Sequence, residues 1–358
     1  MATDQTEFFV PKSSMSVSVA LATYNGGRFL SEQLDSIARQ TLPPDELVVS
    51  DDGSTDDTLD ILRSFATTAP FPVRLLDKTE RLGFSDNFLH AAGACRSDLV
   101  AFSDQDDVWL SNKIRVGFDR IVADKSLLSM HRLTVTDLDL KPAYLLDQGI
   151  AGDAVHAPME LDPQAGWGNT MMFRRELATL IPRDQRPRHP GFDRPLSHDT
   201  WLYSLTAALG RVSHIAAPLI LYRQHGGNTA GVTPPSLARR VTGLHTEPTK
   251  GFRLKMELDE AISALLADLA TATTGPTRDR ALAGAGCLAT RSKRLADRID
   301  AYENRSAMRR LQAWLRTVRS LQQDPAAAGR AYRIGGKDLL LGVSGLDRVT
   351  SRRAGAQS

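Results

Sequence analysis

The first hundred residues alternate between short uncharged apolar runs and stretches whose apolar positions recur at helical spacing. Ser16 to Ala22 is β-rich and uncharged and predicts a buried strand. Asn25-Gly26-Gly27 interrupts it. From about Phe29 to Gln40, Leu30, Leu34 and Ile37 fall on one helical face, and Pro43-Pro44 closes the segment. Glu46 to Ser50 predicts a second strand. Asp57 to Thr67 predicts a second helix, with acids in the first turn where the helix dipole favours them. Val73 to Leu76, Phe84 to Ala94 and Asp98 to Ser103 continue as strand, helix and strand. This alternation predicts an α/β fold with a mainly parallel sheet covered by helices on both faces. Ligands of such sheets bind at the carboxyl ends of the strands. Polar clusters sit at those ends: Thr23-Tyr24-Asn25, Asp51-Asp52 and Asp104-Gln105-Asp106-Asp107.

Beyond this region the pattern loosens. From about Asp147 to Pro195 it is irregular and rich in Pro, Gly and Arg. Trp201 to Leu209 predicts a helix and Pro218 to Tyr222 a short strand. After Thr233-Pro234-Pro235 the composition shifts to Ala, Leu and Arg, which reads as helices. The expected organisation is a lead-in over 1–15, an α/β domain over 16–235 and a basic helical region over 236–358.

Charge separates the last two. Residues 1–235 hold 22 Lys+Arg against 30 Asp+Glu, and residues 236–358 hold 22 against 12. A net charge of only +2 excludes a general polyanion binder, and the basic region lacks a nucleic-acid reader motif. Two distant cysteines, Cys95 and Cys287, exclude a disulfide framework and point to a reducing, cytoplasmic setting. No apolar run is long enough to predict a transmembrane helix, and the polar N-terminus lacks the apolar core of a signal peptide.

The carboxylates suggest a chemistry. Asp104-x-Asp106 directly follows an apolar strand. A divalent cation held by carboxylates on a rigid strand end stabilises charge on a diphosphate. A lone D-x-D also arises by chance, and acids after a strand also cap a following helix, here from Trp109 onward. Asp51 can accept the imide N3–H of uracil or thymine, and Tyr24 offers a flat face for a base. The same acids equally read as a turn and helix N-cap.

Together, Val19-Ala20-Leu21-Ala22-Thr23-Tyr24-Asn25, Val48 to Asp56 and Phe102-Ser103-Asp104-Gln105-Asp106-Asp107-Val108-Trp109 resemble family 2 glycosyltransferases of the GT-A fold, over roughly 16–230. The S-D-Q-D-D-V-W form looks most like bacterial rhamnosyltransferase-type members that build cell-surface polysaccharides. The resemblance implies an inverting, metal-dependent transfer of one sugar from a dTDP- or UDP-linked donor to a glycan or lipid-linked glycan acceptor. It implies that Thr23, Tyr24 and Asp51 line base and ribose, with Asn25 in the same turn and Asp52 supporting that wall. Arg81 would lie near the nucleotide. Asp104 and Asp106 would hold Mn²⁺ or Mg²⁺, Asp104 also contacting the ribose. His198-Asp199 resembles the later acidic motif, with His198 in place of the usual first acid and Asp199 as catalytic base. Arg223 would hold phosphate oxygens and His225 would be a third metal ligand or contact the diphosphate. Trp167, Gly168 and Asn169, with His198, would face sugar or acceptor.

In the basic region Leu311, Trp314, Leu315, Val318 and Leu321 share one helical face, with arginines among them. Such a helix either rests peripherally on an anionic membrane or packs its apolar face on the catalytic domain. Two rival functions stand beside the glycosyltransferase: a sugar-phosphate nucleotidyltransferase, whose Gly-rich loop Asn25-Gly26-Gly27-Arg28 matches poorly, and a non-catalytic nucleotide- or glycan-binding scaffold.

Overall fold

The computed structural model describes residues 15–77, 80–160, 166–191, 193–226, 228, 248–304 and 306–323. Residues 1–14 of the predicted lead-in lie outside them. Contacts divide the chain into two compact units. One comprises Met1–Pro158, Pro163–Arg186 and Leu196–Val232, the other Met159–Asp162, Pro187–Pro195 and Thr233–Ser358.

The first unit is built on a ten-stranded sheet. Strands β1 (Val17–Thr23), β2 (Glu46–Asp51), β3 (Val73–Leu75) and β4 (Leu99–Ser103) form its parallel half, in the order β3-β2-β1-β4. β1 and β4 are buried throughout and β2 nearly so, as expected of strands covered on both faces. Helices α1 (Gly27–Ala38), α2 (Thr58–Thr68) and α3 (Phe84–Ala94) link them. Leu30, Leu34 and Ile37 of α1 enter one core cluster with Val19, Leu21, Leu47, Val49 and Leu99. The chain runs from β1 outward through β2 to β3, then crosses to the other side of β1 as β4. That reversal opens a crevice at the carboxyl ends of β1 and β4.

The second half of the sheet is mixed. β9 (Met171–Arg174) lies antiparallel between β4 and β6 (Leu128–Thr136). β10 (Val212–Arg223) runs parallel to β6 and is far longer than the strand predicted at 218–222. Its register shifts around Pro218, which has no N–H for the ladder. β5 is only Val108–Trp109, antiparallel to β10, and α4 (Lys113–Asp124) follows it. The sequence suggested a helix from Trp109. Instead that pair of residues ties the acidic loop to the strand ending at Arg223. β7 (Pro142–Leu146) and β8 (Ala154–His156) extend the sheet on β6 and β10. A short helix α5 (Glu176–Thr179) precedes α6 (His198–Leu209).

Among the described residues the second unit contains three helices, Pro248–Ala272, Gly275–Glu303 and Ala307–Gln323. Leu258, Ile262, Leu266 and Leu269 of the first are buried, as are Ala281, Ala285, Leu288, Leu295 and Ile299 of the second. An ion pair, Asp259–Arg291 at 3.6 Å, is enclosed between them. On the third helix Ala313 and Arg310 are buried, while Met308, Leu311 and Leu315 are exposed.

Candidate active site

Parallel pairing aligns Thr23 with Asp51 at the ends of β1 and β2. Thr23 Oγ1 donates to Asp51 Oδ2 at 2.7 Å, and Ser54 Oγ donates to the same oxygen at 2.6 Å. Asp51 Oδ1 accepts the backbone N–H groups of Gly53 and Ser54. Gly53 has φ +85°, the left-handed geometry glycine adopts without penalty. Asn25, itself left-handed at φ +47°, accepts from Thr55 N at 2.8 Å. Its own N–H donates to Ser54 Oγ. The loops after β1 and β2 are therefore cross-linked before any ligand arrives.

Asp52 is buried and accepts from Leu82 N and Gly83 N at 2.7 and 2.9 Å. Arg81 Nε stands 3.4 Å from the same carboxylate. The Arg81 guanidinium covers the half-exposed Tyr24 ring at 3.9 Å from its centroid. Asp52 thus supports Arg81, and Arg81 supports Tyr24. Beneath them Asn87 joins Thr23 O and Ser50 O through its amide.

At the end of β4 the three acids have different surroundings. Asp106 is partly buried, with Oδ2 at 2.8 Å from His225 Nε2. The His225 ring lies against Phe29. Asp107 is buried and accepts from Asn169 Nδ2 at 2.8 Å. Burial, and then the charge of Asp106, push its carboxyl up to about 8. Asp104 is held well above the usual carboxylate range by burial, then by the charges of Asp107, Asp106 and Asp199. Opposing them is Lys113, buried on the Trp109 ring with Nζ 4.0 Å from its centroid. Burial pulls its ammonium down to about 7. Neither Lys113 nor its position six residues beyond Asp107 carries a sequence signal for this role.

Asp199 opens α6. Its Oδ1 accepts Ser197 Oγ at 2.5 Å and Thr200 N at 2.7 Å. Oδ2 makes no hydrogen bond among the described residues, so one oxygen is oriented and the other is available. Gly168 lies directly alongside: a Cβ there would stand 3.5 Å from Asp199 Cβ and 2.5 Å from His198 Nε2.

Several residues expected to face ligand have protein partners in the structure. His198 is 2% exposed, stacked on Phe88 at 4.1 Å and edge-on to Phe84 and Phe102. These contacts pack it at the start of α6. Arg223 is also buried. It donates to Glu32 at 2.5 Å, to Asp106 O at 3.2 Å and to Leu138 O, which uses its guanidinium on protein rather than phosphate. Asn169 holds Asp107. Trp167 is half-buried and edge-on to Tyr222 at 5.5 Å. Sequence reasoning missed Gln105, whose amide bonds the Tyr24 backbone at both ends.

The cation set is likewise less complete than expected. Among the described residues no three ligand side chains converge as a ready-made cage. Asp106 and His225 bond to each other, and Asp104 stands beside them. Crowded carboxylates and one imidazole suit a hard cation that takes its remaining ligands from water and phosphate oxygens.

Residues 18–177 match the family model of glycosyl transferase family 2. Over those residues the chain is similar to family 2 glycosyltransferases. It is 28% identical over 244 residues to an uncharacterized glycosyltransferase of Nostoc sp., covering 64% of this chain and 72% of that one. It is 29% identical over 219 residues to a dTDP-rhamnosyl transferase of Shigella flexneri, covering 59% and 73%. The structure resembles S. aureus TarS 1–349, solved in complex with UDP, with a TM-score of 0.50 at 16% identity over 87% of this chain and 90% of that one. The fold of this glycosyltransferase is GT-A, with a helical C-terminal region.

Proposed function

We propose that the enzyme transfers a single sugar, with inversion, from a nucleoside-diphosphate donor to a hydroxyl of a cell-surface or lipid-linked glycan. The observation that carries this is Asp199. It is a carboxylate with one oxygen oriented by Ser197 and Thr200, the other available, and close enough to Asp104 to raise that group's proton affinity. Asp199 takes the proton from the acceptor hydroxyl as its oxygen attacks the anomeric carbon. The bond from that carbon to the diphosphate breaks on the opposite face, and the diphosphate leaves with the electron pair.

The donor's base stacks at Tyr24, displacing or joining the Arg81 guanidinium, which is 61% exposed and can swing to the phosphates. Asp51 already accepts four protein hydrogen bonds, so an imide N3–H replaces one hydroxyl donor, Thr23 or Ser54, by rotation of that hydroxyl. Asp104, Asp106 and His225 would hold Mn²⁺ or Mg²⁺, which when bound stabilises charge on the departing diphosphate. Similarity to the Shigella flexneri enzyme favours dTDP-rhamnose as donor.

Asp199→Asn removes the base while leaving the donor loops intact. Transfer should fall by at least about 10²-fold, the lower range for general-base loss, with donor affinity unchanged. A variant that turned over at the wild-type rate would refute the assignment.

A further inference from the structure

We propose that Gln105 is a positioning residue that couples the cation loop to the nucleoside loop, so that filling one strengthens the other. The inference rests on the nucleotide-sugar reading above. Gln105 lies between Asp104 and Asp106, yet its side chain serves neither. Its Oε1 accepts Tyr24 N at 2.9 Å and its Nε2 donates to Tyr24 O at 3.1 Å. The β1–β4 ladder ends at Leu21 and Ser103. Beyond that point the Gln105 amide supplies, from a side chain, the two backbone bonds a longer ladder would have made.

Space for this link is built into the opposite loop. A Cβ on Gly26 would lie 2.2 Å from Gln105 Oε1 and 2.4 Å from Cδ, so the clamp requires glycine there. Tyr24 is in turn held from the far side by Arg81 on its ring and, through Arg81, by Asp52. The backbone that presents the Tyr24 ring is thus fixed from two directions, and one of them is the loop that carries Asp104 and Asp106. Any settling of those carboxylates around a cation is transmitted to Tyr24 through two hydrogen bonds. By linkage, a base on Tyr24 acts equally on the cation loop.

The test uses thymidine and uridine, which lack the diphosphate through which a donor would reach the cation. Their affinities are measured on the full chain by ligand-observed NMR, with and without saturating Mg²⁺. In the wild type Mg²⁺ should tighten the better nucleoside by about 5-fold, the lower end of ordinary site-to-site coupling. In Gln105→Ala the factor should fall to near one. Gln105→Glu keeps the acceptor but loses the donor and should fall between, and it stands in if the alanine variant fails to fold. Equal factors in wild type and variants, or no coupling in the wild type, would overturn the proposal. UDP and dTDP are titrated in parallel with Mg²⁺. If neither binds the wild type, the nucleotide reading itself fails; if one binds while the coupling is unaltered, only the role of Gln105 fails.

Discussion

His198 and His214 are both buried, and burial holds each imidazole down to about 4. His214 is also opposed by the His156 ring, 4.4 Å away. In the unfolded chain each takes a proton near pH 6.5. Between those values the unfolded state holds more protons, so stability is full above about 6.5 and is lost as pH falls toward 4. At about 1.4 kcal/mol per pH unit the ceiling is about 3 kcal/mol for each group. The melting temperature should therefore drop between pH 6.5 and 4, and His214→Phe should flatten that drop. A gap between variant and wild type that does not change with pH would remove His214 as a source. Gly168 packs against His198. Gly168→Ala forces a Cβ against His198 and toward Asp199. Because small misplacements of catalytic groups cost up to about 10²-fold, kcat should fall far more than KM changes. A loss confined to KM would contradict the placement.

The elements that position the site differ in how well the sequence announces them. β1, β2 and β4 are apolar runs closed by polar residues, so both the strands and the reactive loops at their ends are legible. α1 was readable from Leu30, Leu34 and Ile37. β5 has two residues and no period, and β9 ends in charged Arg174, so neither looks like a strand alone. They exist because β10 and β4 offer distant partners. That is why the meeting of Asp106 with His225 followed only from resemblance, while the burial of His198, Arg223 and Asn169 was invisible. A polar residue in a motif reads the same whether it faces a ligand or holds its neighbour. In the helical unit the enclosed Asp259–Arg291 pair gives an element-scale test. Asp259→Ala leaves a buried guanidinium without that partner and should cost about 3–5 kcal/mol in chemical denaturation. A cost below about 1 kcal/mol would show that the pair contributes little there.

For the whole molecule, the charge split of the sequence acquires partial structural content. On Ala307–Gln323, Arg316 is paired with Asp297 and Asp300, and Arg310 is buried. The exposed large apolar residues are Met308, Leu311 and Leu315, with Arg309, Gln312 and Arg316 exposed beside them. Of the face formed by Leu311, Trp314, Leu315, Val318 and Leu321, Leu311 and Leu315 are exposed and Trp314 is half-buried, and the side chains of Val318 and Leu321 lie outside the described residues. Among the described residues no helix is long and apolar enough to cross a membrane. We propose peripheral contact through the exposed stripe. Vesicles containing anionic lipid should sediment the protein, and Leu311→Glu with Leu315→Glu should reduce the bound fraction several-fold. Unchanged sedimentation would remove this surface from membrane contact.

In the proposed function the crevice at the ends of β1 and β4 holds a nucleoside-diphosphate sugar with the help of a cation. Calorimetric titration with dTDP-rhamnose and with UDP-glucose, each in Mn²⁺ and in chelator, tests it directly. Binding of one donor that weakens at least about tenfold in chelator, a difference of about 1.4 kcal/mol, is the predicted result. Binding of neither donor under either condition would contradict it.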